Sequence, residues 1–143
     1  MRAVLIGAGN RGREVYGAWA KRHPDRMRIV AVADPDAGRR AEAQAQHAIA
    51  DSLAFADWRE LVAAGEAGKF EAEACLVCTQ DAMHVEPCLA ALKAGWHVLL
   101  EKPMATKPQD CLALVNAAEA AGRQLRVCHV VRYTSFFQAL KRA

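Results

Sequence analysis

The chain has 143 residues, 53% of them hydrophobic and 24% charged, with 19 Lys and Arg against 16 Asp and Glu. That length holds one layered core and not two, and the composition excludes a disordered, collagen-like or membrane-spanning chain. A formal charge of +3 is too small to mark nucleic acid or an acidic membrane as the partner. The longest apolar runs are strand-sized, and Met1-Arg2 leads into a short apolar run and then glycines, with no secretory signal. Cytoplasm is the default compartment.

Val4-Leu5-Ile6 reads as a first strand, stopped by Gly7-Ala8-Gly9. From Arg11 to Arg22, Val15, Ala18 and Trp19 recur at helical spacing until His23-Pro24-Asp25 breaks the pattern. Ile29 to Ala33 is a second buried strand, ended by Asp34-Pro35, and the Ala-rich stretch from Ala37 to Ala48 favours helix. Leu53-Ala54-Phe55 is a short third strand, and Asp57 caps a helix running through Val62. The polar stretch from Gly65 to Glu73 links two halves. Ala74 to Cys78 is a fourth strand, Val85 to Lys93 a helix closed by Gly95, and His97 to Leu100 a fifth strand. Thr106 and Gln109 have the capping-box spacing for a helix carrying Leu112, Val115 and Ala118, and Leu125 to Val131 is a sixth strand. Phe136, Phe137 and Leu140 open an amphipathic helix with no partner in the pattern, so the chain reads as cut, with an apolar patch there.

Continuous apolar strands alternating with helices mean a parallel sheet covered on both faces. The expected fold is α/β, a doubly wound dinucleotide-binding domain with strand order 3-2-1-4-5-6.

Gly7-Ala8-Gly9-Asn10-Arg11-Gly12 is a GxGxxG placed between a strand and a helix, as phosphate binding requires. Gly7 makes the tight turn, Gly9 lets a pyrophosphate approach the backbone, and Gly12 lets helix and strand pack closely. The helix N-terminus then offers free N–H groups to the phosphates. Asp34 ends the second strand 22 residues beyond Gly12, where a carboxylate accepts from the adenosine ribose hydroxyls. It favours NAD over NADP, although Arg39 and Arg40 could tolerate a 2′-phosphate. Glu101-Lys102-Pro103 stands at the carboxyl end of the fifth strand, where open α/β sheets bind ligands, and Pro103 could form a cis bond.

The five cysteines, 75, 78, 88, 111 and 128, read as reduced core residues. Cys75 and Cys78 are three apart on a strand, so their thiols diverge. His84 and Cys88 have a metal-ligand spacing but no third ligand nearby, so no metal is expected. His97 reads as structural, while His129 suits either the cofactor pocket or plain strand packing.

Gly7 to Gly12, Asp34, Thr79 with His84, Ala94-Gly95-Trp96-His97-Val98, Glu101-Lys102-Pro103 and Arg132-Tyr133 together resemble the Gfo/Idh/MocA oxidoreductases, the glucose-fructose oxidoreductase and inositol dehydrogenase family. The resemblance implies residues 1–131 as the NAD(P)-binding domain. It implies residues 132–143 as the start of a helix leading to an absent substrate domain, through which the family commonly forms homo-oligomers. It implies a cofactor site built from Gly7, Gly9, Asn10, Arg11, Gly12, Asp34, Thr79 and Gln80, with His84 near the cleft. Glu101 would stand by the nicotinamide ribose, Lys102 at the reacting hydroxyl, and Arg132 at the cleft edge. Gln80-Asp81 replaces the family's commoner Pro-Asn, and Ser135 a frequent proline. The implied activity is hydride transfer between the nicotinamide and a hydroxyl-bearing carbon of a sugar or cyclitol. The isolated chain would bind the dinucleotide with little turnover. An NAD-dependent glycoside hydrolase and a non-catalytic sensor are the alternatives within the resemblance.

Overall fold

Six parallel strands carry the molecule in the order β3-β2-β1-β4-β5-β6, and the computed structural model describes residues 1–143. They are β1 (Arg2–Ile6), β2 (Arg28–Ala33), β3 (Ala54–Phe55), β4 (Ala74–Val77), β5 (His97–Leu100) and β6 (Leu125–Val127). All four β4 residues and the last four of β1 are buried, as strands covered on both faces must be. The expected doubly wound order is the observed one. Strand order reverses between β1 and β4, which opens a crevice above their carboxyl ends.

Helices on the two faces divide the core. A wound segment, Asn10–Gly17, runs into α1 (Ala18–Arg22) and, with α2 (Ala37–His47), covers one face around Leu5, Val32 and Leu76. On the other face α3 (Trp58–Glu66), α4 (Val85–Lys93) and α5 (Pro108–Ala121) bury Leu61, Leu92 and Leu114 against Val4, Cys75 and Leu100. Cys75 packs in that second layer and Cys78 against the first, so the two thiols diverge. All five cysteines are free.

Of the boundaries that differ from the sequence reading, four have a clear local reason. The first helix starts at Asn10, and its first eight residues wind as a π-helix, with the Ala18 N–H reaching back five residues to the Arg13 carbonyl. Leu53 closes a single 3-10 turn, Asp51–Leu53, and leaves β3 only two residues long. Thr106 is not a cap: α5 starts at Pro108, and proline holds the preceding Lys107 in extended backbone. β6 stops at Val127 because its neighbour β5 has ended. After Cys128 donates to the Leu100 carbonyl, the chain turns through the 3-10 stretch Val130–Tyr133 into α6 (Ser135–Arg142). On α6, Phe136, Phe137 and Leu140 are exposed.

Leu114 is fully buried and joins α5 to the sheet. Leu114→Ala should cost about 3 kcal/mol, as core leucine truncations do, and urea unfolding would show it as a lower midpoint at unchanged slope.

Candidate functional site

The glycine-rich turn is built by close backbone approach. Gly7 takes φ +92°, and a Cβ there would lie 2.6 Å from the Cys78 carbonyl oxygen. At Gly12 a Cβ would lie 2.0 Å from the Gly7 oxygen, so only glycine fits both positions. Gly9 differs, because open space surrounds its missing Cβ. The N–H groups of Gly9, Asn10, Arg11 and Gly12 donate to no other backbone group. Four free donors at a helix head, around an open glycine, form a cradle that suits a pyrophosphate.

Asp34, buried at the end of β2, braces this turn. One carboxylate oxygen accepts from the Ala8 N–H at 2.7 Å and the other from the Asp36 N–H at 2.9 Å. The Arg40 guanidinium donates to the Asp34 carbonyl at 2.6 Å. A cleft of about 320 Å³ brings together Gly7, Gly9, Asn10, Arg11, Asp34, Thr79 and Gln80, with Arg39 and Cys78 beside them. Most of the expected cofactor residues therefore share one hollow.

Glu101 does not open onto that cleft. It follows β5, is 5% exposed, and is held from the first half of the chain. Arg11 donates to it from Nε at 3.1 Å and Nη2 at 2.9 Å, and the Tyr16 hydroxyl donates at 2.5 Å. Burial raises the carboxyl pKa, but the Tyr16 and Arg11 hydrogen bonds outweigh it and hold the group below the usual glutamate value. The Tyr16 hydroxyl is pushed well above its ordinary value, first by burial, then by Cys128 and Glu101 beside it. On an α-helix, residues five apart point about 140° away from each other. The wider π winding brings Arg11 and Tyr16 round to one carboxylate.

Lys102 follows on a loop pinned at both sides. Its N–H donates to Glu101 at 3.3 Å, and the next peptide bond, Lys102–Pro103, is cis. The fully buried His84 sits between two carbonyls, with Nδ1 2.7 Å from that of Pro103 and Nε2 3.1 Å from that of Thr79. His84 thus braces the cleft from behind and offers it no surface. Lys102 and Arg132 line a second cavity of about 760 Å³, shared with His129, Gln138 and Lys141. Seven of the expected site residues line the first hollow and Lys102 and Arg132 the second, while Gly12, His84 and Glu101 line neither.

Sequence reasoning passed over Tyr16, the partner of Glu101, because an α-helical reading turns it away from Arg11. It also gave no role to Gln138 and Lys141, which enter only once α6 is folded.

Residues 1–129 match the GFO_IDH_MocA family, described as an oxidoreductase family with an NAD-binding Rossmann fold. A 1,5-anhydro-D-fructose reductase of Ensifer adhaerens is 34% identical over 140 residues, covering 97% of this chain and 39% of its own length. An inositol 2-dehydrogenase of Agrobacterium fabrum is 32% identical over 144 residues, covering 100% of this chain and 41% of its own. Among solved structures, the WlbA dehydrogenase of Bordetella pertussis, in complex with NADH and UDP-GlcNAcA, superposes with a TM-score of 0.88 at 27% identity. That match covers 100% of this chain and 42% of the WlbA chain. The chain therefore spans well under half the length of these relatives.

Removing the Tyr16 hydroxyl leaves a buried carboxylate short of one donor. Tyr16→Phe should destabilise the fold by about 2 kcal/mol in urea unfolding, the scale for a hydrogen bond to a charged group. The lowered carboxyl value sets a pH dependence as well. Glu101 stabilises the fold fully above its unfolded pKa, and that contribution is lost as pH falls through the lower folded value. The stability gap between wild type and Glu101→Gln should hold from neutral pH to about 5 and narrow below about 4.

Proposed function

The chain belongs to the Gfo/Idh/MocA oxidoreductases and is their NAD-binding Rossmann domain, and from that premise we propose that it serves a dehydrogenase acting on a hydroxyl-bearing carbon of a sugar, cyclitol or related small molecule. The observation that carries the reading is the open cradle at Gly9, with four free N–H donors and the buried Asp34 carboxylate around one cleft. The relatives' activities, inositol 2-dehydrogenation and 1,5-anhydro-D-fructose reduction, point to the same substrate class.

In this reading Gly7, Gly9, Asn10, Arg11 and Gly12 hold the pyrophosphate, and Thr79 and Gln80 close the other wall of the cleft. Asp34 faces the adenosine ribose. Its carboxylate already accepts from Ala8 and Asp36, and the lone pairs left over are free for ribose hydroxyls. A negative charge there favours NAD over a 2′-phosphorylated cofactor. NAD, when bound, supplies the hydride acceptor. The remaining tasks belong to the protein: Lys102 holds the substrate oxygen at Nζ, and the hydroxyl proton passes to a base within hydrogen-bond reach. Glu101 acts through its neighbours, fixing the backbone from which Lys102 reaches out.

We assign residues 1–131 to cofactor binding and 132–143 to the approach to a substrate domain. The rest of the substrate site belongs to that second domain, so the 143-residue chain should bind cofactor with little turnover.

Calorimetric titration tests the reading. NAD should bind the chain, NADP should bind more weakly, and Asp34→Ala should weaken NAD by about tenfold or more, some 1.4 kcal/mol. No binding of either cofactor would overturn it.

A further inference from the structure

We propose that the cavity beside Lys102 takes an anionic sugar derivative, one whose carbon skeleton bears a carboxylate or phosphoryl group; this rests on reading Lys102 as the residue that meets substrate. The cavity, about 760 Å³, is large enough for such a molecule. Three cations converge on it from three segments: Lys102 after β5, Arg132 in the turn after β6, and Lys141 on α6. His129 and Gln138 add hydrogen-bonding groups, and no carboxylate lines the wall.

Nothing nearby in the chain neutralises these charges. Glu101, adjacent to Lys102 in sequence, is matched by Arg11 and Tyr16. The last acidic residue is Glu119, so residues 120–143 carry five basic side chains and no acidic one. The preceding 119 residues hold 14 basic and 16 acidic side chains. The net positive charge of the chain therefore lies in residues 120–143, of whose basic side chains Arg132 and Lys141 line the cavity. Lys141 alone could be explained as a cation in the last turn of a helix, complementing its dipole. That account does not reach Lys102, which stands on a loop, nor the convergence of the three.

Three like charges line one hollow with no carboxylate among them. A neutral polyol would leave them unpaired while displacing their water, whereas a carboxylate or phosphoryl oxygen makes charge-assisted hydrogen bonds with them. Arg132 can grip such a group with two parallel donors. Discrimination by charge then accompanies recognition of the reacting hydroxyl by Lys102.

The test is a two-stage titration of the 143-residue chain. NAD binding is measured first by calorimetry. D-glucuronate, D-glucose 6-phosphate and D-glucose are then titrated at low salt, with and without NAD, and followed by NMR shifts. At least one of the two anions should bind about tenfold more tightly than glucose, and which one does so separates a carboxylate from a phosphoryl ligand. The preference should shrink at high salt, where charges are screened. It should vanish in Lys141→Glu and in Arg132→Glu; both residues are exposed, and circular dichroism confirms that the variants are folded. Equal binding of all three sugars, no binding of either anion, or a preference that survives both substitutions would overturn the proposal. Failure of NAD to bind strikes the cofactor reading instead, and the titrations without NAD still decide the charge preference.

Discussion

A carboxylate with almost no water around it has to find its compensation in the protein, and Glu101 finds most of it in another part of the chain. Its partners Arg11 and Tyr16 stand at the start of the first helix, some 85 to 90 residues away. Leaving a buried charge unmatched is far more costly than leaving a surface charge alone. Burial of Glu101 therefore requires the first βα unit and the fifth strand to meet in one arrangement. Both are next to the strands where the sheet order reverses, and the same contact fixes the cofactor crevice. The π winding from Asn10 to Gly17 belongs to this constraint: a regular helix would present either Arg11 or Tyr16 to the carboxylate, not both.

The glycine turn is consequently held from two sides. Asp34 takes the Ala8 N–H at its entrance, and Arg11, anchored on Glu101, fixes its exit. Between those anchors the donors from Gly9 to Gly12 stay free. Two carboxylates beside an anion site would ordinarily repel the anion. Here Glu101 is matched by a guanidinium, and Asp34 is engaged by two backbone N–H groups with Arg39 in the same cleft. The helix head therefore keeps its attraction for phosphate.

Much of this architecture could be read from residue order alone. Apolar runs of strand length, the GxGxxG between strand and helix, and Asp34 at the next strand end depend on local chemistry, and the sheet order followed from them. What could not be read depends on tertiary partners. Val15, Ala18 and Trp19 fit an α-helical period, so nothing in their spacing signals a wider winding, and Tyr16 went unassigned. Strand β6 is shorter than its apolar run because β5 gives it no further partner. Pro108 was the stronger local signal at α5, since the residue before a proline resists helix whatever Thr106 and Gln109 offer. His84 was expected near the cofactor; its full burial shows only when the loops after β4 and β5 are brought together.

That imidazole connects the two hollows. It touches the Thr79 carbonyl in the wall of the cofactor cleft and the Pro103 carbonyl beside the lysine loop. With Glu101 holding the lysine's own N–H, the backbone on both sides of Lys102 is fixed to elements that shape the cofactor cleft. The lysine keeps freedom only in its side chain, a mobile amine on a rigid base. Such an arrangement suits a site in which cofactor and substrate must meet at one carbon, because supporting contacts, rather than the reacting groups, set the distance between them. The glycine turn and the lysine are far apart in sequence, yet Glu101 and His84 place both in one frame.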